Sequence, residues 1–274
     1  MEAKIDLIDI LFRGDVLEIL STMSDEICNQ GCRFITQGGF HPGILAPFIR
    51  LAADDFDVLE EARIFMAMDP IFEKPDSIKE MLYEVIHAKA MLLEESQWRI
   101  GSYRDAHQWT FKHHFGKKSC YPLNMPEIHG LEKDLGLKYA AVYAAGFDHY
   151  IDQFLFPLVM ILGKINGNLA QNLGSRLFYN HIRKYGDRKP RVELCLQAKG
   201  LKSNLKKEII WSLVHDDGFQ LTALAVVALL NQLLKKPLEE PGLYLMGQIT
   251  NHQELFSDLS KMGVIIKKQD PALR

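Results

Sequence analysis

The stretch I-T-Q-G-G-F-H-P-G, Ile35 to Gly43, is where the chain changes direction between a strand and a helix. Residues 33–36 are short and β-prone, so they read as a strand entering this turn. Two adjacent glycines, a histidine and a proline then follow. Pro42 and Pro47 set the start of the next helix, which is expected to run to about Ala53. Upstream, residues 15–30 read as a helix, with Asp15 as N-cap, Glu18 three positions later and Gly31 just past the end. A strand–turn–helix of this kind has two uses. It can bring backbone N–H groups and an imidazole to a helix N-terminus, where anions bind. It can also be a turn that needs glycine dihedrals and nothing more.

Outward from the turn, helices and period-two strands alternate. Residues 61–68 place Ala62, Ile64, Met66 and Met68 on one face, the pattern of a half-buried strand. Residues 77–98 lack punctuation and read as one long helix. Residues 107–113 alternate around Trp109 and Phe111, and residues 118–123 are expected to pair with them across Gly116. A short helix over 126–135 and a strand over 139–145 follow. Residues 148–185 read as helical, broken near Pro157 and between Gly163 and Gly167. Residues 191–199 and 208–216 alternate cleanly and suggest an antiparallel hairpin. Residues 219–234 read as an apolar, buried helix. The tail is strand (243–248), helix (252–262) and strand (264–268). Hairpins with helices of unequal length between them indicate an α+β layer and not a βαβ repeat.

Composition bounds the function classes. The chain has 274 residues, 47% hydrophobic and 24% charged, with a net charge of −3, so bulk electrostatics gives no case for nucleic acid or an anionic membrane. The basic run from Lys199 to Lys207 reads as a solvated hairpin loop. Cys28, Cys32, Cys120 and Cys195 show no C-x-x-C spacing and read as free thiols of a reducing compartment. The N-terminus lacks the order of a signal peptide. The longest apolar stretch, residues 154–162, has nine residues and a proline, where a bilayer span needs about twenty. A cytoplasmic protein is expected.

The local motifs exclude more than they assign. No two glycines are spaced two apart, so the G-x-G-x-x-G turn that admits a pyrophosphate is missing. Gly38 and Gly43 have Walker-like spacing, but Ile44 stands where lysine is required. No H-E-x-x-H or G-x-S-x-G occurs, and Tyr179 is followed four residues on by Arg183, not by a lysine. His107 and His113 share a face and permit a metal by spacing, yet no cysteine or carboxylate pattern accompanies them, and no metal is expected. His149, with Asp148 and Asp152, reads as a capped, solvated turn. Tyr143, Tyr150 and Tyr179 could line a pocket or serve as core. Asp217 before an apolar helix reads as a cap, and Thr222 within it as a satisfied core hydroxyl.

The run C-R-F-I-T-Q-G-G-F-H-P-G-I-L, Cys32 to Leu45, resembles the segment that ends the nucleotide-binding domain of saccharopine dehydrogenase-like oxidoreductases. I-D-L-I-D-I (from Ile5), A-A-V-Y-A-A-G-F-D (from Ala140), H-D-D-G-F-Q-L-T-A-L-A (from His215) and P-G-L-Y-L-M-G-Q-I (from Pro241) are similar to later or flanking family segments, in the same order. The resemblance implies an α+β fold: a mixed, largely antiparallel sheet packed with helices, plus a remnant strand–helix–strand of a Rossmann domain. It implies residues 1–45 as that remnant and residues 46–274 as a catalytic and dimerisation domain. It places Gly39, Phe40, His41 and Pro42 where two domains meet, with Asp216, Asp217 and Thr222 facing the same cleft. No catalytic base is identified.

Family members carry a glycine-rich turn roughly one hundred residues before the G-G-F-H-P-G position, whereas 37 residues precede Gly38 here. The expectation is a substrate and dimerisation part of an NAD- or NADP-dependent oxidoreductase, truncated and inactive alone. NAD or NADP would serve the intact enzyme and would not bind this chain tightly by itself. Exposed edges of the remnant predict association, as a homodimer or with a separate nucleotide-binding chain. Two further readings stand beside it: a non-enzymatic assembly module that keeps the fold, and a stand-alone small-molecule binder.

Overall fold

The computed structural model describes residues 4–270 apart from positions 12, 70, 88, 149, 187 and 188. In chain order the elements are β1 (Leu7–Ile8), α1 (Gly14–Thr22), α2 (Ser24–Asn29), β2 (Arg33–Thr36), α3 (Leu45–Ala53), β3 (Val58–Asp69), α4 (Pro75–His87), β4 (Met91–Glu94) and β5 (Gln97–Ile100). There follow β6 (His107–Phe111), β7 (Gly116–Leu123), α5 (Leu131–Asp134), β8 (Tyr139–Ala145), α6 (Phe156–Ile165), α7 (Gly167–Tyr185), β9 (Arg191–Lys202) and β10 (Leu205–His215). The chain ends with α8 (Gly218–Lys235), β11 (Gly242–Leu245), α9 (Met246–Ile249), α10 (His252–Lys261) and β12 (Ile265–Gln269). A π-helical turn, Ile151–Leu155, leads into α6.

Two sheets organise these elements. The larger has nine strands along the path β12-β10-β9-β3-β8-β4-β5, with β7 on β8 and β6 on β7. Only β3 and β8 pair in parallel; the other pairings are antiparallel. The smaller sheet has three parallel strands in the order β1-β2-β11. The α+β architecture and the mixed sheet are as expected. The late strand β11 crosses back to join the N-terminal strand pair, whereas the last strand, β12, forms an edge of the large sheet.

Period-two patterning explains the central strands. On β3, β8 and β9, Ala62, Ile64, Ala140, Val142, Leu194 and Leu196 face the core that α3, α8 and α10 cover. The opposite face carries Phe65, Ala141, Tyr143 and Cys195, over which Phe111 and Cys120 of the β6–β7 hairpin pack. β3 is therefore buried on both faces along its C-terminal half, not half-buried along its length. A third cluster, Ile78, Leu82, Val159 and Phe178 among others, holds α4, α6 and α7 together.

Five elements depart from the sequence pattern. The strand expected over 243–248 stops at Leu245, where α9 begins, and the helix expected over 126–135 is a 3-10 turn and the short α5 on either side of Gly130, which takes φ of 99°. The expected helix over 77–98 ends at His87, and β4 and β5 replace its second half. These strands turn at Glu95 and Ser96, which take φ of 49° and 63° without glycine or asparagine, so the usual hairpin signal is missing. The expected helix over 15–30 breaks at Met23 into α1 and α2; Asp15 lies inside the first turn, hydrogen-bonded to Arg13, and does not cap. Helix α8 is long and apolar enough to cross a membrane by length and composition. Only one stripe of it, Leu221, Ala225, Ala228 and Leu229, is buried, while Phe219, Val227 and Leu234 are exposed.

Candidate functional site

Strands β1 and β2 run in parallel and end beside one another, and the turn over 37–43 grows from that carboxyl edge. Asp9, the residue after β1, fixes it. The Gly38 N–H donates to the Asp9 carbonyl at 2.8 Å, and the Thr36 hydroxyl donates to the Asp9 carboxylate at 2.8 Å. Gln37 adopts φ of 56° and is buried, and its side-chain oxygen has no hydrogen-bond partner. A buried orphan acceptor costs about 1–3 kcal/mol, which marks this amide as a functional candidate. The His41–Pro42 peptide is cis.

The turn folds on itself and against α8. At Gly39 an added Cβ would come within 3.2 Å of the Pro42 carbonyl oxygen and 3.3 Å of Thr222 Cγ2. At Gly218 it would come within 3.6 Å of Phe40 Cε1. Gly39, Phe40, Pro42 and Thr222 thus share one small region. His41 lies against Phe40, ring centroids 4.0 Å apart. Burial pushes the His41 imidazole down to about 4, so the ring is neutral at physiological pH.

The other two positions turn elsewhere. Asp217 caps α8, its carboxylate accepting from the Phe219 N–H at 2.8 Å and the Gln220 N–H at 3.2 Å. Asp216 is exposed. The Thr222 hydroxyl donates to the Gly218 carbonyl at 3.2 Å.

Glu127 was invisible to sequence reading. It comes from a 3-10 turn, Pro126–Ile128, and is fully buried. Its carboxylate accepts from the Gly43 N–H at 2.6 Å and the Ala46 N–H at 3.1 Å, at the start of α3. Gly247 leaves the space it needs, since a Cβ there would sit 2.3 Å from Glu127 Oε2. Burial pushes this carboxyl up to about 7, against the opposing pull of those amides and Arg50. The anion expected at the α3 N-terminus is therefore the chain's own side chain. No sequence signal could have revealed a partner 84 positions away.

The remaining candidates scatter. His107 and Tyr143 line one cleft and His113 another. Among the described residues no group of three His, Cys, Asp or Glu side chains is placed to hold a metal. Tyr150 stacks on His181 at 4.6 Å, and the Tyr179 hydroxyl donates to the Glu73 carbonyl at 3.1 Å. Asp148 accepts from the Tyr150 and Ile151 N–H groups; His149 lies outside the described residues.

The chain is similar to the apo, histidine-tagged saccharopine dehydrogenase (L-Glu forming) from Saccharomyces cerevisiae, with a TM-score of 0.62. The match covers 97% of this chain and 80% of that chain at 12% identity. At that identity the likeness establishes the fold alone. No family model and no curated protein matches the sequence.

Proposed function

We propose that the chain supplies the substrate-binding and dimerisation part of a saccharopine dehydrogenase-like, NAD(P)-dependent oxidoreductase, and that it does not turn over alone. The observation that carries this reading is the meeting of Gly39 and Phe40 with Gly218 and Thr222 at the carboxyl edge of parallel strands. Open parallel sheets bind ligands at that edge. A bound nicotinamide would supply the hydride chemistry. The turn stands at the carboxyl edge where the nicotinamide end of a dinucleotide would come. It does not suit the pyrophosphate, because Glu127 already holds the α3 amides. The phosphates would be held by strands added at β1, whose one partner strand among the described residues is β2. Ile5, Leu7 and Ile10 are exposed along that edge. Four free thiols suit a cytoplasmic setting.

Fluorescence titration with NADPH and NADH tests this. The chain alone is expected to bind more weakly than about 1 mM, and binding near 1 µM would end the two-part reading. Joined after a dinucleotide-binding domain, it is expected to turn over, with His41→Ala lowering the rate by about tenfold. Unchanged turnover would remove His41 from the site.

Homodimerisation is supported by Phe154, Leu158, Ile161 and Ile165, exposed at spacings of four, three and four along the π-helical turn and α6. That is the seam spacing of paired helices. Sedimentation should give a dimer that Ile161→Asp converts to monomer; a monomeric wild type would remove the dimer from this reading. A non-catalytic module that keeps the fold is the second reading. It is favoured by Glu127 and Asp217 filling the helix N-termini beside the turn, and the same titration decides between them.

A further inference from the structure

The face of the large sheet over which the β6–β7 hairpin packs holds a column of rings. Phe65 stacks on Trp109 with centroids 4.2 Å apart and on Tyr143 at 5.2 Å. His107 stands edge-on to Tyr143 at 5.0 Å. The Tyr143 end of the column opens into a cleft of about 240 Å³, on the opposite side of the sheet from the glycine turn. Its volume is below the roughly 300–1,000 Å³ of drug-sized sites, so the occupant has the bulk of a single ring or short chain.

The charges around this cleft are not balanced. Arg99 is consumed: it donates to both Glu94 oxygens, at 2.6 and 2.7 Å, and to Asp105 at 2.7 Å. Asp105 also accepts from the Ser102 N–H at 2.7 Å, which fixes the rim. Arg63 pairs with Glu61 at 2.9 Å, and Glu61 is shared with Lys199 at 3.8 Å. Arg104 makes no ion pair among the described residues; its Nε donates to the Tyr103 hydroxyl at 3.4 Å. Arg63, Arg99, Arg104 and Lys199 thus outnumber Glu61, Glu94 and Asp105 by one.

The rings add neutral donors. Burial, and then the charge of Arg63, holds the His107 imidazole below its ordinary value, so it enters uncharged. Burial raises the Tyr143 phenol, which keeps its proton. One surplus positive charge, guanidinium forks and neutral O–H and N–H donors match a planar anion of single charge. Glu94 and Asp105 on the rim disfavour a dianion such as phosphate. Leu92 and Ala141 line the wall and suit an apolar body.

We propose that this cleft is a binding site for a small planar monocarboxylate, its carboxylate on Arg63 and Arg104 and its body against Leu92 and Ala141. The test uses the full chain and benzoate, with benzamide as the neutral isostere and inorganic phosphate as the dianion. Calorimetry should give benzoate a Kd of about 1 mM or tighter, with benzamide and phosphate at least about tenfold weaker. Benzoate should also shift the His107 ring proton signals. Exposed Arg104 can be changed without disturbing the core, so Arg104→Gln should weaken benzoate about tenfold at unchanged melting temperature, and Arg63→Gln should weaken it further. Benzoate binding no better than benzamide, phosphate binding tighter than benzoate, or full affinity in Arg104→Gln would each overturn the proposal.

Discussion

Glu127→Gln is expected to make the protein's stability rise with pH, relative to the wild type, by about 3 kcal/mol between pH 4.5 and 7. The sign follows from which state holds more protons. Burial raises the Glu127 carboxyl from its ordinary 4.5 to about 7, so between those values the folded state binds the extra proton. Its contribution is fully present below pH 4.5 and is lost as pH rises through 7. His41 does the reverse. Burial lowers its imidazole from 6.5 to about 4, so between those values the unfolded state binds the extra proton. Its contribution is present above pH 6.5 and is lost as pH falls through 4. From pH 4.5 to 6.5 the two slopes oppose and nearly cancel, and each variant exposes the other. His41→Gln should therefore lose about 3 kcal/mol relative to wild type as pH rises from 4 to 6.5. Urea unfolding of the three proteins across pH 4–8 measures this. Curves parallel to wild type in both variants would mean that neither group is held as the structure shows.

The opposing pair also shows what a sequence can and cannot reveal. His41 was legible because it sits inside the unusual turn that marks the strand-to-helix junction. Glu127 was not, because its role is set by a tertiary contact with amides far away in the chain. The same divide runs through the hairpins. The β9–β10 hairpin could be read although its turn residues, Ser203 and Asn204, take φ of 52° and 61° with no glycine. Its flanking strands alternate over eleven pairings or so and announce themselves. The β4–β5 hairpin has the same kind of turn at Glu95 and Ser96, but its strands form only four pairings. Four residues are too few to separate period two from a helical pattern. β11 was expected as a strand, but its place beside β2 could not be, since pairing across the length of the chain leaves no local pattern. Around the turn, Gly39, Phe40, Pro42 and Thr222 were singled out through the family resemblance and not by residue type, and Asp9 and Gln37 were not singled out at all.

Gly43→Ala is expected to be the most damaging single substitution at the turn, costing about 4 kcal/mol or more. Gly43 adopts φ of 136°, a region side-chain-bearing residues avoid. An added Cβ would lie 2.2 Å from the Gly39 carbonyl oxygen, 2.6 Å from the Gly39 nitrogen and 2.9 Å from the Gln37 carbonyl oxygen. All three are backbone atoms, so no rotamer change can relieve the clash. The turn must open, and opening it withdraws the Gly43 N–H from Glu127. A buried carboxylate is then left short of a donor, which adds to the cost. Gly116→Ala separates the dihedral penalty from the clash. Gly116 has φ of 61° but open space where a Cβ would stand, so alanine there should cost about 1 kcal/mol. Denaturant unfolding gives both values, and amide exchange at Ala46 reports whether the carboxylate has let go. If Gly43→Ala cost no more than Gly116→Ala, the turn would not be closed on itself, and the contact between Gly39 and Thr222 would lose its physical basis.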